Sequence, residues 1–307
     1  MPKVSIIIPT YNRAHLVERA INSVLNQTYC DFELIVVDDA STDNTQEVIK
    51  SIGDKRIRYI RHGANRGGSA ARNTGIGLSE GKYIALLDDD DEWLPAKLEK
   101  QVNAFEEVSD KVGLIYTGSE VREEGNNAPL KTYIPRFRGN VRNRLLMGPT
   151  VCGSQSVLIK RECFSKAGVF DESLKSCQDW DMWKRISEDY DFDFVPAVLA
   201  RTYLHSEQIS SNFASLIPGR TKMLEKHMKE FQKHPEILII HLKRLGKLHS
   251  INGTWSQAAY WFKEALKVDF WQIFKIAAWC IVELPRVKWF SDAKIFNRYV
   301  DTTKSGE

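Results

Sequence analysis

The sequence predicts an α/β fold: a doubly wound, mostly parallel sheet with helices on both faces, followed by an α-helical tail. Three observations carry this. Short apolar runs alternate with helical patterns over residues 4–116. Several of those runs end in polar or acidic residues, as strands do when they feed one functional sheet edge. From about residue 216 the extended pattern gives way to helical spacing.

In order, Val4-Ser-Ile-Ile-Ile-Pro9 is a short β-branched run and reads as a buried strand, with Thr10-Tyr11-Asn12-Arg13 as its loop. Ala14, Leu16, Val17, Ala20, Ile21, Val24 and Leu25 recur at helical spacing. Phe32 to Val37 is the next strand and ends at Asp38-Asp39. Ser41-Thr42-Asp43 supplies capping residues for a helix from Asn44 to Ile52. Ile57 to Ile60 is a third strand, and Asn65 to Gly75 opens a helix of small residues able to pack close to a sheet or ligand. Tyr83 to Leu87 is a buried strand, Ala96 to Glu107 a helix and Val112 to Tyr116 a strand.

After residue 117 the regular alternation stops. Gly118 to Pro135 is polar and reads as a hairpin or loop, Val141 to Met147 as a short helix, and Ser156 to Ile159 as a strand. A helix is expected over Gln178 to Glu188, with Trp180, Met182, Trp183 and Ile186 among its apolar residues, then strands at Phe192–Val195 and Leu199–Leu204. In the tail, Gly253 to Lys267 has the small-large spacing of one helical-repeat unit. Phe270 to Leu284 is strongly apolar and ends at Pro285, with Arg286, Lys288 and Trp289 beyond it. It reads either as the core of a helical tail or as an interfacial helix.

Composition bounds the class. With 307 residues, 43% apolar and 27% charged, the chain has length for one large core plus a smaller unit. Residues 220–307 hold 16 Lys/Arg against 9 Asp/Glu, and the residues before them 27 against 31. A basic tail behind a mildly acidic body suits an anionic partner, or is a solvated helical surface. Five cysteines without regular spacing make neither a disulfide framework nor a zinc site and point to a reducing cytosol. The chain starts directly with a strand, without a signal peptide, and no run reaches the ~18 apolar residues of a membrane span.

The chemistry concentrates at Asp88-Asp-Asp-Asp91, where a buried strand ends in four adjacent carboxylates. Such charges repel unless something offsets them. A hard divalent cation, Mg²⁺ or Mn²⁺, prefers carboxylate oxygens and often keeps phosphates as further ligands. A solvated acidic turn is the other reading. The loop Pro9-Thr-Tyr-Asn-Arg-Ala14 is not the G-x-G-x-x-G of a dinucleotide site, and no P-loop occurs.

Val4 to Arg13, Ile35-Val-Val-Asp-Asp-Ala-Ser-Thr-Asp43, Asn65 to Gly75 and Leu87-Asp-Asp-Asp-Asp-Glu-Trp-Leu-Pro95 together resemble glycosyltransferase family 2, the inverting enzymes with a GT-A fold. The resemblance covers residues 3–205, and the order and spacing of the motifs make it specific. It implies a nucleotide-sugar-binding half over 1–117 and an acceptor and catalytic-base half over 118–215; the helical region over 216–307 lies beyond it, and its basic, aromatic composition suits contact with a membrane or partner. It also implies that Pro9, Thr10 and Tyr11 line a uracil pocket, that Asp39 accepts the uracil N–H, and that Arg72 and Arg13 reach the nucleotide. The family's D-x-D falls on Asp88, Asp89 and Asp90: Asp90 would bind the metal directly, with Asp88 or Asp89 contacting it, the donor sugar or the ribose, and the run of four leaves the register open by one; the others would touch the donor sugar or cap the next helix. His205 is a further metal or phosphate ligand candidate.

The family places its base in a Glu-Asp pair at the start of a late helix. Here the pair is Gln178-Asp179, and glutamine cannot accept the proton, so the role falls on Asp179. Asp181 lies two residues on, turned about 200° around the helix, so the two cannot face one site. Trp93, Trp180 and Trp183 read as packing. The implied activity is metal-dependent inverting transfer from a UDP-sugar to a glycan or lipid-linked acceptor, in surface polysaccharide synthesis, in the cytoplasm or peripherally on the inner membrane face, with no nucleic-acid partner. Two rivals remain: a nucleotidyltransferase on a similar sheet, and a non-catalytic sugar-nucleotide-binding scaffold.

Overall fold

The computed structural model describes residues 2–125, 128–204 and 213–279. The chain divides into two compact units, Met1–Ser173 with Gln178–His205, and Leu174–Cys177 with Ser206–Glu307.

The first unit opens with β1 (Val4–Thr10), α1 (Ala14–Leu25), β2 (Phe32–Asp38), α2 (Thr45–Ile52), β3 (Ile57–Arg61), α3 (Gly68–Leu78) and β4 (Tyr83–Leu86). Then come β5 (Asp91–Trp93), α4 (Lys97–Glu107), β6 (Val112–Glu123), β7 (Lys131–Tyr133) and α5 (Arg142–Met147). A 3₁₀ turn at Ser154–Ser156 leads into β8 (Val157–Lys160), α6 (Glu162–Ala167), α7 (Gln178–Ile186) and β9 (Asp191–Leu204). The strands form one sheet in the order β3-β2-β1-β4-β8-β6-β9-β5, with β7 beside β6. β1 to β4 are parallel, β8 runs against β4 and β6, and β9 is parallel to β6. The mixed direction matters for function. It brings the carboxyl ends of β1, β2 and β4 and the entry to β8 to the same edge.

Every residue of β1 and β2 is buried, which is why both strands lack polar alternation. Ile6, Ile8, Leu34 and Val36 face Val17, Ala20, Ile21 and Val24 of α1. On the other face Ile35 and Val37 meet Ala71 of α3. α3 approaches closely because Gly75 lies over Ile7, where a Cβ would come within 2.5 Å of Ile7 Cγ2. Each fully buried Ile, Leu or Val is worth about 1.5–3 kcal/mol, so this double-sided core holds the strand ends in place.

Two expectations need correction. Asp91 caps no helix; it starts β5, which pairs antiparallel with Ala200–Thr202 of β9. The runs expected as two strands over Phe192–Leu204 form the single strand β9. Its register steps from Thr117↔Val195 to Gly118↔Val198, so Pro196 and Ala197 bulge out and the proline leaves no unmet ladder bond.

The second unit comprises α8 (Phe213–Lys226), α9 (Met228–Phe231), α10 (Pro235–Ile251), α11 (Trp255–Val268) and α12 (Gln272–Ala278). α10 and α11 form a helical hairpin, with Gly246 letting the Phe262 ring lie against the α10 backbone. Phe270, Trp271 and Phe274 are 65%, 71% and 66% exposed, so the described part of the 270–284 run is not core. Residues 280–284, Pro285, Arg286, Lys288 and Trp289 lie outside the described residues. No helix among the described residues is long and apolar enough to cross a membrane.

Candidate active site

The strand ends are tied together by Asp39, just beyond β2. Its backbone N–H donates to Thr10 O at 2.9 Å, joining β2 to β1. Its buried carboxylate accepts the Arg66 amide at 2.9 and 3.1 Å and the Gly67 amide at 2.6 Å, while His62 Nδ1 lies 2.7 Å from Oδ1. Four contacts use the acceptor capacity of a carboxylate, so a further N–H would have to share with the bifurcated Arg66 amide. Asp38, the last residue of β2, accepts the Ser41 amide at 2.7 Å and the Tyr59 hydroxyl at 2.5 Å. Thr10 is buried at the end of β1, whereas Tyr11 is exposed. Asn12 follows at φ 52, its Oδ1 accepting the Thr42 amide at 2.6 Å.

The acidic run follows β4 and is divided between two arginines. Arg13 Nη1 donates to Asp89 Oδ1 at 2.8 Å and to Asp90 Oδ2 at 2.9 Å. Burial alone would lower the Arg13 pKa, but the two carboxylates outweigh it and hold the guanidinium charged. Arg72, on α3, donates to Asp88 Oδ1 at 2.6 Å, and Ser154 Oγ donates to Asp88 Oδ2 at 3.1 Å. Burial pushes Asp89 up to about 6, against Arg13 and with help from the Asp90 charge. Asp91 is also raised well above the ordinary carboxylate value, by burial and by the Asp90 and Asp88 charges, and its sealed Oδ1 has no hydrogen-bond partner. The run therefore holds more negative charge than its arginines settle.

Asp179 stands second in α7. It keeps some exposed surface, yet its Oδ1 is sealed and without a partner. Burial raises its pKa to about 6, opposed by the Arg72 charge and reinforced by Asp88. Arg72 thus acts on both groups, the strand-end run and the lone carboxylate. Asp181 is fully buried and accepts from Arg185 Nε at 2.9 Å, one turn along the helix. Trp180 and Trp183 are buried, and Trp180 Nε1 donates to Leu145 O at 2.5 Å. Trp93 is also buried, donating to Gln155 O at 2.7 Å.

Asn73, next to Arg72 on α3, brackets the backbone of Phe170. Its Nδ2 donates to Phe170 O at 2.9 Å, and its Oδ1 accepts the Phe170 amide at 2.8 Å. The Phe170 ring lies 5.7 Å from the Arg72 guanidinium and edge-on to Trp183 of α7. Sequence reasoning gave no role to Asn73, to Ser154 or to the Arg66-Gly67 amides. Asn73 and the Arg66-Gly67 amides lie in the Asn65–Gly75 stretch it singled out, but only the fold reveals what they touch. His205 lies outside the described residues.

Fold and site define a GT-A type α/β protein, with acidic strand ends facing a separate buried carboxylate. Residues 5–166 match the family model described as Glycosyl transferase family 2, and the chain belongs to that family. An uncharacterized glycosyltransferase of Rickettsia felis is 37% identical over 70% of this chain, which spans 36% of that relative's length. The Escherichia coli UDP-Glc:alpha-D-GlcNAc-diphosphoundecaprenol beta-1,3-glucosyltransferase WfgD is 30% identical over 68% of this chain and 80% of its own. Among solved structures, the mannosyltransferase PcManGT from Pyrobaculum calidifontis in complex with GDP-Man and Mn²⁺ superposes with a TM-score of 0.61 at 18% identity. It matches over 95% of this chain and 84% of that one.

Proposed function

We propose that the chain is a metal-dependent inverting glycosyltransferase that moves a sugar from a UDP-sugar to the hydroxyl of a growing glycan or lipid-linked acceptor. The observation that carries this reading is Asp179: a buried carboxylate with a free Oδ1 and a pKa raised to about 6, linked through Arg72 to a run of carboxylates. Two acidic centres with separate environments suit two separate tasks.

The run suits a hard cation. Its donors are all oxygen, Asp89 and Asp91 are raised partly by neighbouring charge, and Asp91 Oδ1 is buried without a partner. Asp88 and Asp90 would hold Mg²⁺ or Mn²⁺. When bound, the ion would offset charge on a departing diphosphate. Arg13 and Arg72 already sit on these carboxylates and would turn toward the diphosphate as part of the same exchange. Pro9, Thr10 and Tyr11 would border the base, Asp89 would face the donor, and Asp39 would receive the uracil N–H by sharing it with the Arg66 amide.

Asp179, ionised above about pH 6, takes the proton of the acceptor hydroxyl. The acceptor oxygen forms its bond to the anomeric carbon from the face opposite the leaving group. The bond from that carbon to the diphosphate oxygen breaks, and its electron pair leaves with UDP. Configuration inverts.

WfgD is named for a lipid-diphosphate acceptor, which supports an acceptor of that class. The exposed Phe270, Trp271 and Phe274 support peripheral contact with the inner membrane face of a cytoplasmic protein. A screen of UDP-, GDP- and dTDP-sugars, with and without Mn²⁺, tests the reading. UDP release that needs both the metal and Asp179 is expected. Turnover of a nucleoside triphosphate instead would move the chain to nucleotidyl transfer, and no turnover of any donor would leave a binding protein.

A further inference from the structure

The helical unit holds a charge arrangement that the transfer reaction does not use. Arg220 on α8 and Arg244 on α10 belong to helices that pack against each other, and each is largely withdrawn from solvent. Arg220 Nη1 is sealed with no hydrogen-bond partner. Neither guanidinium has a carboxylate partner among the described residues. Burial pushes Arg244 down to about 10, and the charge of Arg220 pushes in the same direction. An arginine does not escape burial by losing its proton at neutral pH. Two buried like charges without a counterion are costly.

The surroundings are close-fitting. Gly219, just before Arg220, lies so near Ser176 that a Cβ there would overlap it. Cys177, whose thiol is the remaining group acting on both arginines, adopts a left-handed φ of 62. Ser176 and Cys177, which belong to the helical unit, thus stand beside the two arginines. Both arginines keep part of their surface open, so a ligand has a way in.

We propose that Arg220 and Arg244 form an anion site in the helical unit that takes a phosphate-type group, and a diphosphate best of all. Two guanidinium forks match successive phosphoryl groups through paired N–H donors. The anion supplies the charge the helices lack, and the sealed Arg220 Nη1 gains its acceptor. The site stands without the donor reading above. Only the idea that the diphosphate belongs to a lipid-linked acceptor rests on it.

The test is thermal unfolding of the full chain in EDTA, with inorganic phosphate, pyrophosphate or farnesyl diphosphate added, and NaCl matched for ionic strength. Pyrophosphate is expected to raise Tm well beyond NaCl. Arg220→Gln and Arg244→Gln are expected to lose that response yet melt at or above the parent without anion, because each relieves the like-charge pair. Asp90→Asn keeps the response, which separates this site from the donor site. A response to farnesyl diphosphate at lower concentration than to pyrophosphate identifies the lipid-linked source; equal responses identify the free anion. The proposal is overturned if no phosphate-type anion exceeds NaCl. It is equally overturned if both variants respond like the parent, or if they melt lower without anion.

Discussion

Replacing Asp179 with asparagine should make the protein more stable and nearly inactive at once. The side chain keeps its size and its place in the first turn of α7. What it loses is the buried charge. The gap between a pKa of about 6 and the ordinary 3.8 corresponds to about 3 kcal/mol of strain from the ionised form. The sign follows from proton counting. Between those two values the folded protein holds a proton that the unfolded chain has released, so stability falls as pH rises through the window. Above about pH 6 the whole cost is present, and Asp179→Asn removes it. Urea unfolding at pH 7.5 should show a gain approaching about 3 kcal/mol, and the gain should vanish near pH 4, where the parent carboxyl is itself neutral. UDP release should fall by about 10²–10⁴-fold, the usual worth of a general base, and the parent's kcat/KM should decline below about pH 6. Near-normal turnover in this variant, or no stability gain at pH 7.5, would refute the assignment. Asp181→Asn is the control: it strands Arg185 and should cost about 3 kcal/mol without gaining stability at any pH.

Three further outcomes follow from the same contacts. Chelation with EDTA should abolish transfer, and Mn²⁺ at about 100 times its Kd should add about 2.7 kcal/mol to unfolding free energy, a gain lost in Asp90→Asn and read by thermal melting. Asn73→Ala removes both bonds to Phe170 and should cost about 1–3 kcal/mol in urea; its kcat should drop more than its donor KM rises, because the bracket steadies the side of the site that carries Asp179. Lys97 is fully buried, with Nζ 2.7 Å from Gln101 Oε1 and 3.9 Å above the Trp93 ring, and burial holds its pKa well below the ordinary value. The unfolded chain therefore binds the extra proton, and parental stability rises with pH toward the lysine range. Lys97→Met should abolish that rise and unfold at higher urea at pH 7.

Much of the first unit could be read from sequence because its signals are local. β1 and β2 are rich in Ile, Leu and Val, the amphipathic spacing of α1 is unbroken, and the carboxylates follow one residue after β4. β5 could not be read this way. Three residues, two of them acidic, have no periodicity, and only pairing with β9 makes them a strand. The joining of two expected strands into β9 depends on a bulge that hides a proline from the ladder. At the site, sequence pointed to Asp88–Asp90, Arg72 and Asp179 as residue types, and the fold supplied their partners. Adjacent helix positions such as Arg72 and Asn73 point about 100° apart, so nothing in their spacing reveals that one meets the acidic run and the other the Phe170 backbone. Arg220 and Arg244 lie on different helices within a basic stretch, where two more cations carry no signal until burial is known.

The sharing of Asp88, Asp89 and Asp90 between Arg72 and Arg13 has a practical consequence. A carboxylate cluster held together only by its metal would fly apart when the metal left. This one brings its own counterions, so the empty protein can idle without coming undone. If the proposed cation is the one the run holds, its loss should switch the enzyme off and leave its architecture standing, and its return should switch the enzyme on again without refolding. On the proposed reading, in which the run takes a cation, the arginines act as placeholders, keeping the carboxylates in shape between one occupant and the next.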